Sequence, residues 1–181
     1  MKDYSNDINA LNIPWIESPF FYQLLENLEA TDADRVHAKN MHEKGYIIID
    51  LGLTNEFLDS LNDQIIELAE SDRAKTNTSY FSYNEFPRIV DAGRSVREVI
   101  ELATHPEVTH ILEFMYGREA IPFGTINFIN GSEQPLHSDS MHFGTVPEGF
   151  LAASWIALED MDSENGALRV VEGSHKFKNI D

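Results

Sequence analysis

The chain has no cysteine among its 181 residues. That absence excludes a disulfide framework, cysteine-ligated zinc, iron–sulfur clusters and thiol nucleophiles, and it is compatible with a reducing compartment. Basic residues are scarce too: 13 Lys and Arg stand against 31 Asp and Glu, for a formal net charge of −18. Such a surface repels phosphate backbones and anionic headgroups, and no Lys/Arg cluster offers a local footprint. Neither nucleic acid nor a membrane is therefore an expected partner. No stretch approaches the roughly 18 consecutive apolar residues of a spanning helix. The opening Met1-Lys2-Asp3-Tyr4-Ser5-Asn6-Asp7 lacks the apolar core of a secretory signal. A cytoplasmic enzyme is the expectation these absences leave.

What is present suits one globular domain, with 42% hydrophobic and 10% aromatic residues and length enough to bury a core. Residues 1–17 read as a polar arm interrupted by Pro14-Trp15, and residues 18–181 as a single domain. Its first part, to about residue 117, has helical periodicity. A helix begins after Ser18 with Phe20, Phe21, Leu24, Leu25 and Leu28 on one stripe, and a weaker one runs from Asp34 to Lys44 and stops at Gly45. Thr54 can cap a helix through Glu70 that buries Phe57, Leu58, Leu61, Ile65 and Leu68. Ser95-x-x-Glu98 and Thr104-x-x-Glu107 have the capping-box pattern, and the helix after Pro106 ends at Gly117. Residues 71–94, polar and rich in aromatics (Tyr80, Phe81, Tyr83, Phe86), read as a long connector, either a lid or substrate-facing segment or a surface loop pinned by its own aromatics.

Beyond Gly117 the pattern turns to strands, expected at 120–129, 134–139, 150–158 and 167–171, with Tyr46-Ile47-Ile48-Ile49-Asp50 an earlier one. Asn130-Gly131 and Asn165-Gly166 are turn dipeptides. These patterns alone establish an α+β class and no more.

His137-Ser138-Asp139 is the feature that carries chemistry. On an extended strand residues i and i+2 share a face, so the imidazole and the carboxylate can converge on one ion. Imidazole and carboxylate suit non-haem Fe(II), for which two His and one carboxylate leave positions open for oxygen and co-substrate. The triplet alone is a weak signal, since 7 His and 13 Asp in 181 residues produce one by chance about half the time. The other histidines offer no obvious partner. His37 and His42, like His105 and His110, are five apart, which on a helix leaves them about 140° from each other. His142 lies five residues after His137, an offset that puts it on the opposite strand face unless the chain has turned.

The flanks add specificity. Gln134-Pro135-Leu136-His137-Ser138-Asp139-Ser140, the run from Phe150 through Trp155 to Asp160, Glu164-Asn165-Gly166-Ala167-Leu168, and Glu172-Gly173-Ser174-His175-Lys176 follow in order. Together they resemble the phytanoyl-CoA dioxygenase family of Fe(II)/2-oxoglutarate oxygenases, most strongly from about Phe123 to Lys176. Glu172 stands where the family usually has proline. The resemblance implies a double-stranded β-helix, a cupin-like jelly roll with the N-terminal helices buttressing one sheet. It implies His137 and Asp139 as iron ligands, Asn127 as an amide facing 2-oxoglutarate, and His175 as part of a structural turn.

Fe(II), 2-oxoglutarate and O2 would then convert 2-oxoglutarate to succinate and carbon dioxide while a small organic substrate is hydroxylated. Asp139 favours hydroxylation over halogenation, because related halogenases lack that carboxylate. The family places its second iron-binding histidine and the arginine for 2-oxoglutarate well beyond the Gly173-Ser174-His175 block, and the chain stops at Asp181. The expectation is thus an incomplete jelly roll over about 118–181, catalytically incompetent by itself. The rival reading is a non-catalytic binding module. A cupin-like isomerase or lyase would use more histidines and a Glu than this spacing supplies.

Overall fold

The computed structural model describes residues 12–71, 79–83, 86–129, 131 and 134–177, without the side chains of 79–83, 86, 87 and 141. Five helices precede Gly117: α1 (Phe21–Asn27), α2 (Asp32–Lys44), α3 (Asn55–Glu70), α4 (Arg97–Ala103) and α5 (Pro106–Tyr116). Local chemistry sets most of their ends. Thr31 opens α2 through a reciprocal box: the Asp34 N–H donates to Thr31 Oγ1 at 3.1 Å and the Thr31 N–H donates to Asp34 Oδ2 at 3.0 Å. The helix closes on Gly45, whose φ of +86° a side chain would strain. Thr54 Oγ1 accepts from the Phe57 N–H to start α3. Pro106 takes the first position of α5, where no intrahelical N–H is needed, and Gly117 ends it at φ +63°.

Two expected caps differ. Val96, not Ser95, precedes α4, and no side chain caps it. His105 replaces Thr104 at α5, its Nδ1 accepting from the Glu107 N–H at 3.3 Å.

The helices bury two cores. Trp15, Ile16, Phe21, Leu25, Ala38, Ile111 and Met115 form the first, joining the N-terminal stretch to α1, α2 and α5. Trp15 stacks on Phe21, with centroids 5.5 Å apart, and its Nε1–H donates to Phe114 O at 2.6 Å. Pro14-Trp15-Ile16 is therefore packed against the helices, while residues 1–11 lie outside the described residues. The second core joins α3, α4 and Ile89 through Leu61, Ile65, Leu68, Val96, Val99 and Leu102.

One antiparallel sheet lies among the described residues, in the order β1 (Ser79–Tyr83), β2 (Phe86–Val90), β3 (Ile126–Phe128). Its register pairs Ser79 with Val90 and Tyr83 with Phe86, then Arg88 with Phe128 and Ile89 with Asn127. The stretch read as a long connector thus contains two of the three strands, its aromatic residues suiting a pleated surface. The side chains of Tyr80, Phe81, Tyr83 and Phe86, on which the choice between lid and pinned surface loop turns, lie outside the described residues.

The helices and sheet make an α+β fold, but the expected strands fall short. Of 120–129 only Ile126–Phe128 is paired, and 46–50, 134–139, 150–158 and 167–171 join no ladder among the described residues. Apolar alternation marks a segment that can be a strand. A ladder also needs a neighbour's N–H and C=O groups, which local sequence does not specify. Among the described residues every buried apolar side chain lies between Pro14 and Met115. Past Gly117, large side chains such as Ile121, Phe123, Leu136, Val146 and Phe177 are exposed.

Candidate metal centre

His137 and Asp139 lie where an extended backbone becomes a turn. Ser138 between them is extended (φ −103°, ψ 127°), which keeps the flanking side chains on one side. Asp139 then begins a 3-10 turn through Met141, and its carbonyl accepts from the N–H groups of His142 and Phe143, both at 2.9 Å. The expected strand over 134–139 is corrected to this junction: one extended residue is enough to bring the pair together. His137 Nε2 and Asp139 Oδ1 are 3.3 Å apart.

His137 Nδ1 lies 2.7 Å from the carbonyl oxygen of Pro135. A neutral ring satisfies that acceptor by carrying its proton on Nδ1, which leaves the Nε2 lone pair beside the carboxylate. A backbone carbonyl on one ring nitrogen is the usual way the ligating tautomer is fixed. Two donors about 2.1 Å from one ion, roughly at right angles, are about 3 Å from each other. The donor set and its separation fit two positions of a non-haem iron centre.

The pair is not enclosed. The His137 side chain is 31% exposed and that of Asp139 52% exposed, so no cavity walls of paired strands surround it among the described residues. Among those residues no group of three or more His, Cys, Asp or Glu could hold a metal ion.

All seven histidines lie among the described residues. The 3-10 turn swings His142 back toward the pair, its ring centroid 5.9 Å from that of His137. Three others are engaged in the helical half: His42 stacks on Phe21 with centroids 4.0 Å apart, His105 caps α5, and His110 pairs with Asp34 at 3.0 Å. His175 reaches the end of α2, where its Nε2 lies 3.1 Å from His42 O.

Asn127 belongs to the sheet and not to this turn. It faces Ile89 across the ladder, and Ile89 is fully buried, so the two share the inner face. Asn127 Oδ1 and Thr125 Oγ1, two positions earlier on the same face, are sealed from solvent with no hydrogen-bond partner among the described residues. Buried acceptors of this kind are rare. Thr125 was not singled out by sequence pattern, and its i−2 relation to Asn127 was the available signal.

Comparison with known proteins gives a consistent family. The family profile described as phytanoyl-CoA dioxygenase matches residues 41–181. The peroxisomal phytanoyl-CoA dioxygenase of Bos taurus is 31% identical over 87 residues, covering 44% of this chain and 26% of that protein. Its counterpart in Rattus norvegicus is 28% identical over 116 residues, covering 60% of this chain and 30% of that protein. A probable phytanoyl-CoA dioxygenase of Caenorhabditis elegans is 40% identical over 45 residues, covering 25% and 14%. The matched stretch thus spans less than a third of each of these relatives. No solved structure matches.

Proposed function

Because the chain belongs to the phytanoyl-CoA dioxygenase family, whose profile matches residues 41–181, we propose that it is an Fe(II)- and 2-oxoglutarate-dependent oxygenase domain hydroxylating a small organic substrate. The observation that supports this most is the 3.3 Å approach of His137 Nε2 to Asp139 Oδ1, with Nδ1 turned to the Pro135 carbonyl.

In this reading His137 and Asp139 hold Fe(II) through one imidazole nitrogen and one carboxylate oxygen. When bound, the iron with 2-oxoglutarate and O2 supplies the oxidising chemistry, and the protein's own task is placement and shielding. The Pro135 carbonyl accepts from Nδ1–H, which selects the tautomer whose Nε2 is the nitrogen turned toward the metal position. The Asp139 carbonyl gathers the His142 and Phe143 N–H groups, which fixes the turn that aims the carboxylate. Asn127 is the proposed amide toward 2-oxoglutarate, and its sealed, unpartnered Oδ1 is consistent with a contact that awaits a ligand.

The third protein ligand and the arginine for 2-oxoglutarate come from outside the described residues, and the double-stranded β-helix is our proposal for the arrangement that gathers them. The substrate is a small organic molecule. Nucleic acid and membranes are disfavoured by the −18 charge, and no described helix is long and apolar enough to cross a membrane. We place the protein in the cytoplasm. The peroxisomal relatives make the peroxisome the alternative, and imaging of a tagged chain separates the two.

The second reading is a truncated or non-catalytic jelly-roll binding module that lacks the distal histidine and the arginine for 2-oxoglutarate. Succinate release from 2-oxoglutarate under O2 with added Fe(II) distinguishes them, run on this chain and on one extended by further residues. Oxygenase function predicts Fe(II)-dependent succinate from the extended protein, lost in His137→Ala and in Asp139→Ala. No succinate from either form supports the module.

A further inference from the structure

The block Glu172-Gly173-Ser174-His175 takes no part in the iron reading, yet it reaches back across 133 positions to the C-terminus of α2. The final carbonyls of a helix have no partner within it. At α2 the Gly45 N–H satisfies Met41 O at 2.9 Å, and the carbonyls of His42 and Lys44 are met from afar. The Gly173 N–H donates to Lys44 O at 2.7 Å, and His175 Nε2 lies 3.1 Å from His42 O.

The imidazole also covers Gly45. A Cβ placed there would lie 2.3 Å from His175 Nδ1 and 2.9 Å from its Cγ, well inside contact distance. Two glycines therefore serve this junction for different reasons. Gly45 leaves room for the ring, and Gly173, at φ +77°, makes the backbone bend that aims its own N–H.

We propose that Gly173–His175 is a strap that caps α2 from a distance and pins the stretch from Leu168 to Phe177 to the helical layer. Nothing else visible in that stretch does so by packing. No residue from Glu159 to Phe177 belongs to either core, and Leu168, Val170, Val171 and Phe177 are exposed.

The turn is stiffened locally, with the Ser174 N–H on Val171 O at 3.0 Å and the Lys176 N–H on Gly173 O at 3.2 Å. Burial holds the His175 imidazole below its usual range, the Lys176 and His42 charges act in the same direction, and the bond to His42 O opposes them. A neutral ring donating from Nε2 matches this contact, since Nδ1 faces the Gly45 backbone. The family match begins at residue 41, inside the helical turn that the strap grips.

Hydrogen exchange on the whole chain tests the strap, read at the Gly173 amide and along α2. His175→Ala is expected to speed exchange at Gly173 about fivefold, the loss of one net hydrogen bond. His175→Gln, whose amide N–H can still reach His42 O, restores most of the protection. Gly45→Ala, strained in any background by its φ of +86°, accelerates Gly173 more when His175 is present than when residue 175 is alanine, because only the first adds the collision with the ring. Unchanged exchange at Gly173 in His175→Ala overturns the proposal. So does equal acceleration in α1 and α5, which would reveal general destabilisation in place of a local strap. Because this readout needs no metal, it stands or fails independently of the iron reading.

Discussion

At the scale of single residues, two side chains show how hydrogen bonding decides a charge state or a tautomer. His137 is tied at Nδ1 and open at Nε2, so His137→Ala should weaken Co(II) or Fe(II) binding at least tenfold, whereas His175→Ala should leave it unchanged. Calorimetry of both variants checks this, and equal losses would assign the metal elsewhere.

Asp34 is nearly buried between α2 and α5. Burial alone pushes its carboxyl up, but bonds from Thr31 Oγ1–H and N–H and from His110 outweigh it and hold the group below its usual range. A carboxylate with a depressed folded-state pKa stabilises the fold above its unfolded value of about 3.9, and that stability is lost as pH falls through the lower folded value. Urea unfolding should therefore show a falling midpoint below about pH 4. Asp34→Asn should lower stability at neutral pH by about 1–3 kcal/mol and flatten the acid limb. An acid limb identical in both proteins would remove Asp34 from the account.

At the scale of elements, the caps make a matched test. Thr54 caps α3 with its side chain, while Ser95 precedes α4 without capping it. Thr54→Ala should cost about 1 kcal/mol and Ser95→Ala less than about 0.5 kcal/mol, measured as shifts in the urea midpoint. A reversed order would mean the Ser95-x-x-Glu98 pattern forms a box after all.

The same contrast explains what was legible in the sequence. Helix α3 with its Thr54 cap and the glycine stops of α2 and α5 were readable because each signal lies within a few residues of the stripe it bounds. The approach of His137 to Asp139 was readable for the same reason, needing only one extended residue between them. The hairpin of β1 and β2 was missed because its aromatic and polar run lacks an apolar alternation. The strands expected at 46–50, 150–158 and 167–171 were over-read, since a ladder depends on a distant partner. The return of His142 toward His137 and the grip of His175 on α2 depend on a turn and on a 133-residue separation that periodicity does not encode.

At the scale of the whole molecule, the chain is asymmetric. Among the described residues its buried apolar side chains end at Met115, and the stretch that carries the proposed iron ligands exposes Phe123, Leu136, Trp155 and Leu168. Exposed apolar surface with unpaired extended backbone favours association, and a net charge of −18 opposes it. Sedimentation velocity should show an associated fraction that grows as salt rises from about 0.05 M to about 0.5 M, because screening weakens the repulsion and leaves the apolar contact. A monomer at every salt concentration would show that this surface is protected.

The central claim is that His137 and Asp139 bind one ferrous ion together, and its most direct measurement is an anaerobic Co(II) titration followed by the ligand-field spectrum of the bound ion. The account predicts one site per chain in the native protein, with the spectrum and most of the affinity lost in both His137→Ala and Asp139→Ala. A native spectrum and undiminished affinity in either variant would contradict it.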